Sequence, residues 1–173
     1  MTKILIVDDN EQEVRRPLVR QLGRVFGAEC ILEAANGMEA VDMLADPGVD
    51  RVGVIVLDVM MPVMDGIAAC RAIRADPACE GVYIAMLTGR DGGLPEGLEV
   101  GADVYLRKPC DADELIAVVR KGLWEFEQRQ ALTARLSRVE AEKEQLQRAN
   151  VYVDLPFGLQ EPVSWVDVVD TSR

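Results

Sequence analysis

Polar residues close four apolar runs of this chain: Asp8 and Asp9 follow KILIV, Asp58 follows VIVL, Thr88 follows YIAML, and Lys108 with Pro109 follows DVYLR. Carboxylates held close together repel one another. A cluster of Asp8, Asp9 and Asp58 therefore calls for a cation, and an all-oxygen ligand set suits a hard ion such as Mg2+. A lysine and a threonine hydroxyl beside that cluster suit an anion on the same metal, most simply a phosphoryl group. The chemistry requires that run ends far apart in the chain meet at one place.

Each run is four to six residues long and rich in Val, Ile and Leu, as expected of parallel strands buried on both faces by helices. Residues that close such strands lie at the carboxyl edge, where open α/β sheets form their binding crevice. Strands are expected over residues 3–8, 30–33, 52–58, 82–87 and 103–107. Asn10 can cap a helix running to about Phe26, which Gly27 stops; a second helix follows Asn36-Gly37 and ends at Asp46-Pro47-Gly48. Asp65 can cap a third over residues 66–74, and Asp111 starts a long last helix. Between Thr88 and Gly101 the glycines and proline of GRDGGLPEG leave room for a short helix only. Strands alternating with helices predict a doubly wound five-stranded parallel sheet with a long C-terminal helix.

Composition narrows the function. The 173 residues suffice for one well-buried domain and some extra structure. No run approaches the ~18 apolar residues of a membrane span, and the N-terminus reads as a strand ending in acids, not a signal peptide, so a cytoplasmic location is expected. The net charge of -11 speaks against a nucleic-acid surface, which needs a basic face. Cysteines 30, 70, 79 and 110 lack paired spacing and read as free thiols. The absence of histidine removes Ser/His and Cys/His nucleophile arrangements.

The acidic pair Asp8-Asp9, the strand-end Asp58 followed by MMPVMDG, Thr88 with Gly89, and Lys108-Pro109 together resemble the response-regulator receiver domain of two-component signalling, over residues 1–122. The resemblance implies a flavodoxin-like fold. It implies that Asp58 accepts a phosphoryl group from a histidine kinase or phosphotransfer protein, that Asp9 and Asp58 ligate Mg2+ directly and Asp8 through water, and that the Met60 backbone carbonyl completes the protein ligands. Lys108 and Thr88 would hold the phosphoryl oxygens, and Tyr105 would be the aromatic switch that follows the movement of Thr88. Such a domain is a phosphoacceptor, not an enzyme. Met60 and Arg90 flank the approach of water and neither is a good base, so self-dephosphorylation is expected to be slow. Dimerisation through the usual face around the fourth helix is not expected, because the glycines weaken that helix.

Past residue 122, Leu132, Leu136, Val139 and Leu146 fall at four-and-three spacing, with Lys143 in the seam, among Glu, Gln, Arg and Lys. Residues 123–149 therefore read as a coiled-coil extension that meets its own copy in a parallel dimer. Residues 150–173 are an apolar tail of unknown role. The expected function is a phosphorylation-controlled binding module without a DNA-binding domain, acting on an output protein the sequence does not identify. The alternative is the regulatory part of a longer output enzyme, such as a cyclic-dinucleotide synthase or a protein phosphatase. A haloacid-dehalogenase-like phosphatase is remote, because Asp58-Val59-Met60 lacks a second acid two residues on.

Overall fold

Period-two alternation sorts the strand residues onto two faces. In β1 (Lys3–Val7), Leu5 and Val7 turn to one core while Ile4 and Ile6 turn to the other; in β3 (Val52–Asp58), Ile55 and Leu57 oppose Val54 and Val56. Ile84 and Met86 likewise oppose Tyr83 and Ala85 in β4 (Tyr83–Thr88). Such strands need helices on both sides. In the computed structural model, which describes residues 1–89 and 100–150 without the side chains of 149 and 150, the helices lie there. The readings made for Arg90, for the short helix before Gly101 and for the tail fall outside the described residues.

With β2 (Ile31–Ala34) and β5 (Val104–Arg107), the strands form one five-stranded sheet in the order β2-β1-β3-β4-β5, parallel throughout. The fold is flavodoxin-like, as expected, with strand ends within a residue or so of their expected places. The order reverses between β1 and β3, and ligands of such sheets bind beyond the strand ends at that switch point. Register aligns Asp58 with Leu87 and Thr88 with Arg107, so the polar ends lie nearly level.

Helices α2 (Gly37–Ala45) and α3 (Gly66–Ala75) cover the face of Leu5, Ile55 and Ile84, burying Ala40, Cys70 and Ile73 there. Helix α1 (Arg16–Phe26) covers the other face with Leu22. The Asn10 side chain accepts from Glu13 N–H at 3.0 Å, but the helix expected from there begins as a wide turn over Glu11–Arg15, in which Arg15 N–H donates to the Asn10 carbonyl at 2.9 Å. Pro17, which has no N–H to donate, occupies the first turn of α1 proper.

The last helix, α4 (Ala112–Asn150), brings Leu115 and Val119 onto the α1 face and Phe126 into the opposite core. Gly122 makes its close approach possible, since a Cβ there would lie 2.6 Å from the Tyr83 ring. Asp103 then ties α3, β4 and α4 together: it accepts from Arg74 at 2.6 Å, from the Ile84 N–H at 2.8 Å and from Arg129 at 3.1 Å. The chain divides into two units, Met1–Gln130 and Ala131–Arg173. In the second, Leu132, Leu136, Val139 and Leu146 are 57, 56, 62 and 66 % exposed. No described helix is long and apolar enough to cross a membrane.

Candidate functional site

Three strand ends place four charged side chains together. Asp8 and Asp9 follow β1, Asp58 ends β3, and their carboxylate oxygens lie within 4.8 Å of one another. Lys108, just past β5, bridges two of them: its Nζ donates to Asp8 Oδ2 at 2.6 Å and lies 2.8 Å from Asp58 Oδ1. Asp8 and Asp58 are buried and Asp9 is exposed, so the cluster opens to solvent on one side. The Lys108 N–H donates to the Thr88 carbonyl at 2.7 Å, extending the β4–β5 ladder one residue to the site, and the Lys108–Pro109 peptide is cis.

Burial, reinforced by the charge of Asp8, raises the Asp58 carboxyl above its ordinary range and outweighs the opposing pull of Lys108. Burial alone would depress the Lys108 ammonium, but the hydrogen bonds and charges of Asp58 and Asp8 raise it on balance. Among the described residues one cation thus stands among three carboxylates. The cluster keeps uncompensated negative charge and an all-oxygen donor set, which is what a hard divalent cation requires.

The remaining expected residues lie around this centre. Thr88 is buried at the end of β4, and its hydroxyl donates to the Leu106 carbonyl at 3.5 Å, a long bond. Tyr105 in β5 is aligned with Met86, half-buried against the α2–α3 core, and burial raises its phenol. Met60 lies in the loop after β3 with its side chain 74 % exposed.

The supports behind Asp8 carried no signal that the motifs could reveal. The Asn10 N–H donates to Asp8 Oδ1 at 2.9 Å, and Arg15 Nη1 donates to the Asp8 carbonyl at 2.6 Å while its Nε reaches Glu33 at 3.3 Å. These bonds fix the loop after β1. Gly66 matters for a steric reason: a Cβ there would lie 2.1 Å from the Asp58 carbonyl oxygen, so only glycine lets α3 start so close to the strand end. Its N–H donates to the Val59 carbonyl at 3.0 Å, and Asp65 caps the helix by accepting from Ala68 N–H at 2.7 Å. The Asp-Gly pair after the β3 loop was the visible trace of this turn.

The family profile described as "Response regulator receiver domain" matches residues 4–120. The chain is 42% identical over 120 residues to the Response regulator MprA of Mycobacterium avium, a match covering 68% of this chain and 49% of that one. It thus spans about half the length of the curated relatives it matches. Among solved structures it is similar to the receiver domain of a signal transduction histidine kinase from Syntrophus aciditrophicus, with 31% identity, TM-score 0.63, and 71% of this chain and 90% of that one covered. The chemotaxis protein CheY4 of Vibrio cholerae matches with 31% identity and TM-score 0.61 over 71% of this chain and 99% of its own. The matched residues take in the five described strands, except Lys3 at the start of β1, and all four of the clustered side chains, and the chain belongs to the response regulator receiver domains of two-component systems.

Proposed function

We propose that Asp58 is the phosphoacceptor of this receiver domain, and that the carrying observation is the Lys108 ammonium held between Asp58 and Asp8 at 2.8 and 2.6 Å. The donor is the phosphohistidine of a histidine kinase or phosphotransfer protein. An Asp58 carboxylate oxygen bonds to phosphorus while the phosphorus–nitrogen bond breaks, and the departing imidazole nitrogen keeps the electron pair. A carboxylate is a weak nucleophile, so the barrier falls through charge placed where the phosphoryl oxygens pass. Lys108 supplies a positive charge from the protein. Asp8, Asp9, Asp58 and the Met60 backbone carbonyl would hold Mg2+, whose donor-set requirements the cluster meets. When bound, the ion neutralises phosphoryl oxygens.

Thr88 then responds. Its bond to Leu106 is long, so turning the hydroxyl toward a phosphoryl oxygen forfeits little. That turn frees volume beside β5, into which Tyr105 moves from its half-buried place. The phosphoryl group adds nearly two negative charges, enough to bias a two-state segment. The signal then passes by protein–protein contact, including a homodimer formed through residues 123–149, to an output protein.

Incubation with acetyl phosphate and MgCl2 tests the reading. Intact mass should rise by one phosphoryl group, and neither Asp58→Asn nor the wild type in excess EDTA should show the gain. Equal labelling of Asp58→Asn would overturn the assignment.

A further inference from the structure

Residues 131–148 present an apolar line together with charges that find no partner among the described residues. On the heptad frame, Leu132, Val139 and Leu146 take d positions and Leu136 and Lys143 take a positions. Arg135 and Glu142 then fall at g and Glu140 at e. Among the described residues none of Arg135, Glu140, Glu142 and Lys143 forms an ion pair within the chain, whereas Glu144 and Arg148, away from the seam, pair at 3.7 Å. We infer that these residues pair with the same residues of a second copy, parallel and in register. The inference rests on the parallel homodimer reading above and adds to it a register and the side chains that enforce it.

Charge separates the possible arrangements. In parallel register each g residue meets the e residue five positions on, so Arg135 meets Glu140 of the second copy, twice by symmetry. Lys143 lays its methylenes in the seam and carries its ammonium to Glu142 of the second copy, which makes a lysine in that layer tolerable. The apolar layers match like with like. An antiparallel pair that stacks Leu136 on Val139 must also lay Leu146 on Arg129 of the second copy. That guanidinium is already held by Asp103 at 3.1 Å and Glu125 at 3.0 Å. Sliding the antiparallel pair one heptad toward the C-terminus avoids Arg129 but sets Glu140 against Glu140 and Glu142 against Glu142. Of these arrangements the parallel one matches its apolar layers like with like, keeps Arg129 out of the seam and sets opposite charges on its flanks.

The test uses the full chain with Cys110→Ser, since Cys30, Cys70 and Cys79 are buried. Leu132→Cys and Leu146→Cys are oxidised with diamide, separately and mixed, and read on non-reducing gels beside sedimentation equilibrium. Parallel pairing in register predicts that each variant alone forms a covalent dimer. A dimer by sedimentation in which neither variant cross-links alone would overturn the orientation while leaving the homodimer intact. A monomer at every accessible concentration would overturn both. Glu140→Arg should raise the dimer dissociation constant about ten-fold, because two attractive flanking pairs become repulsive, and adding Arg135→Glu should restore it. An unchanged constant in Glu140→Arg would refute the register.

Discussion

Replacing Lys108 with alanine removes the one side-chain cation that, among the described residues, stands between Asp8 and Asp58 beside Asp9. At an effective dielectric of about 20, an ammonium 2.6 Å from a carboxylate gains about 6 kcal/mol of Coulomb energy before desolvation is counted. Breaking a buried pair typically costs about 3–5 kcal/mol. The Lys108 side chain is 24 % exposed, so water and small shifts recover part of the loss, leaving about 2 kcal/mol. With roughly 2–4 °C per kcal/mol at this chain length, the metal-free variant should unfold about 4–8 °C below the wild type. Mg2+ should act in the opposite sense. Without the ammonium the carboxylates face the ion unopposed, and each ten-fold gain in affinity adds about 1.4 kcal/mol to the stabilisation at saturation. The assay is thermal unfolding at neutral pH, first in EDTA and then across a MgCl2 titration. Lys121→Ala, which breaks a surface pair with Glu125 at 3.3 Å, serves as control and should change little. If Lys108→Ala unfolds with the wild type in EDTA and Mg2+ raises both equally, the ammonium does not neutralise the site.

Three other perturbations probe the surroundings. Gly66→Ala sets a methyl 2.1 Å from the Asp58 carbonyl oxygen; it should cost about 1–3 kcal/mol by chemical denaturation and slow labelling by acetyl phosphate, and full wild-type stability would contradict the steric reading. Met60→Asn exchanges an exposed thioether for a group that can orient water, and should shorten the lifetime of the phosphorylated form several-fold, well short of the ~10²-fold given by a positioned general base; an unchanged lifetime would leave Met60 without a part in hydrolysis. Burial raises the Cys70, Cys79 and Cys110 thiols above their ordinary range. Deprotonation is then easier in the unfolded chain, so this contribution to stability is whole below the ordinary thiol range and is lost as the pH climbs through the raised folded values. Native protein at pH 8 should react slowly with a disulfide reagent, half-buried Cys110 first, and denatured protein at all four thiols; rapid reaction of every thiol in the native state would count against this.

Much of this architecture was legible in the chain because its signals are local. Short apolar runs, each ended by a polar residue, fixed the strands, and Asn10, Asn36 and Asp65 announced helix starts, since capping needs only a few neighbouring residues. The clustering of Asp8, Asp9, Asp58 and Lys108 followed from strand ends alone, because parallel strands bring all their carboxyl termini to one edge. Tertiary structure decided the rest. That Lys108 bridges Asp8 and Asp58, that Arg15 reaches back to the Asp8 carbonyl, and that Asp103 binds both Arg74 and Arg129 are contacts between residues far apart in the chain or on different elements. No periodicity records them, since each depends on how strands and helices are stacked and not on the sequence around either partner. The same distinction explains Gly66: as a turn residue it was visible, but its necessity comes from the Asp58 carbonyl, which the sheet alone puts in the way.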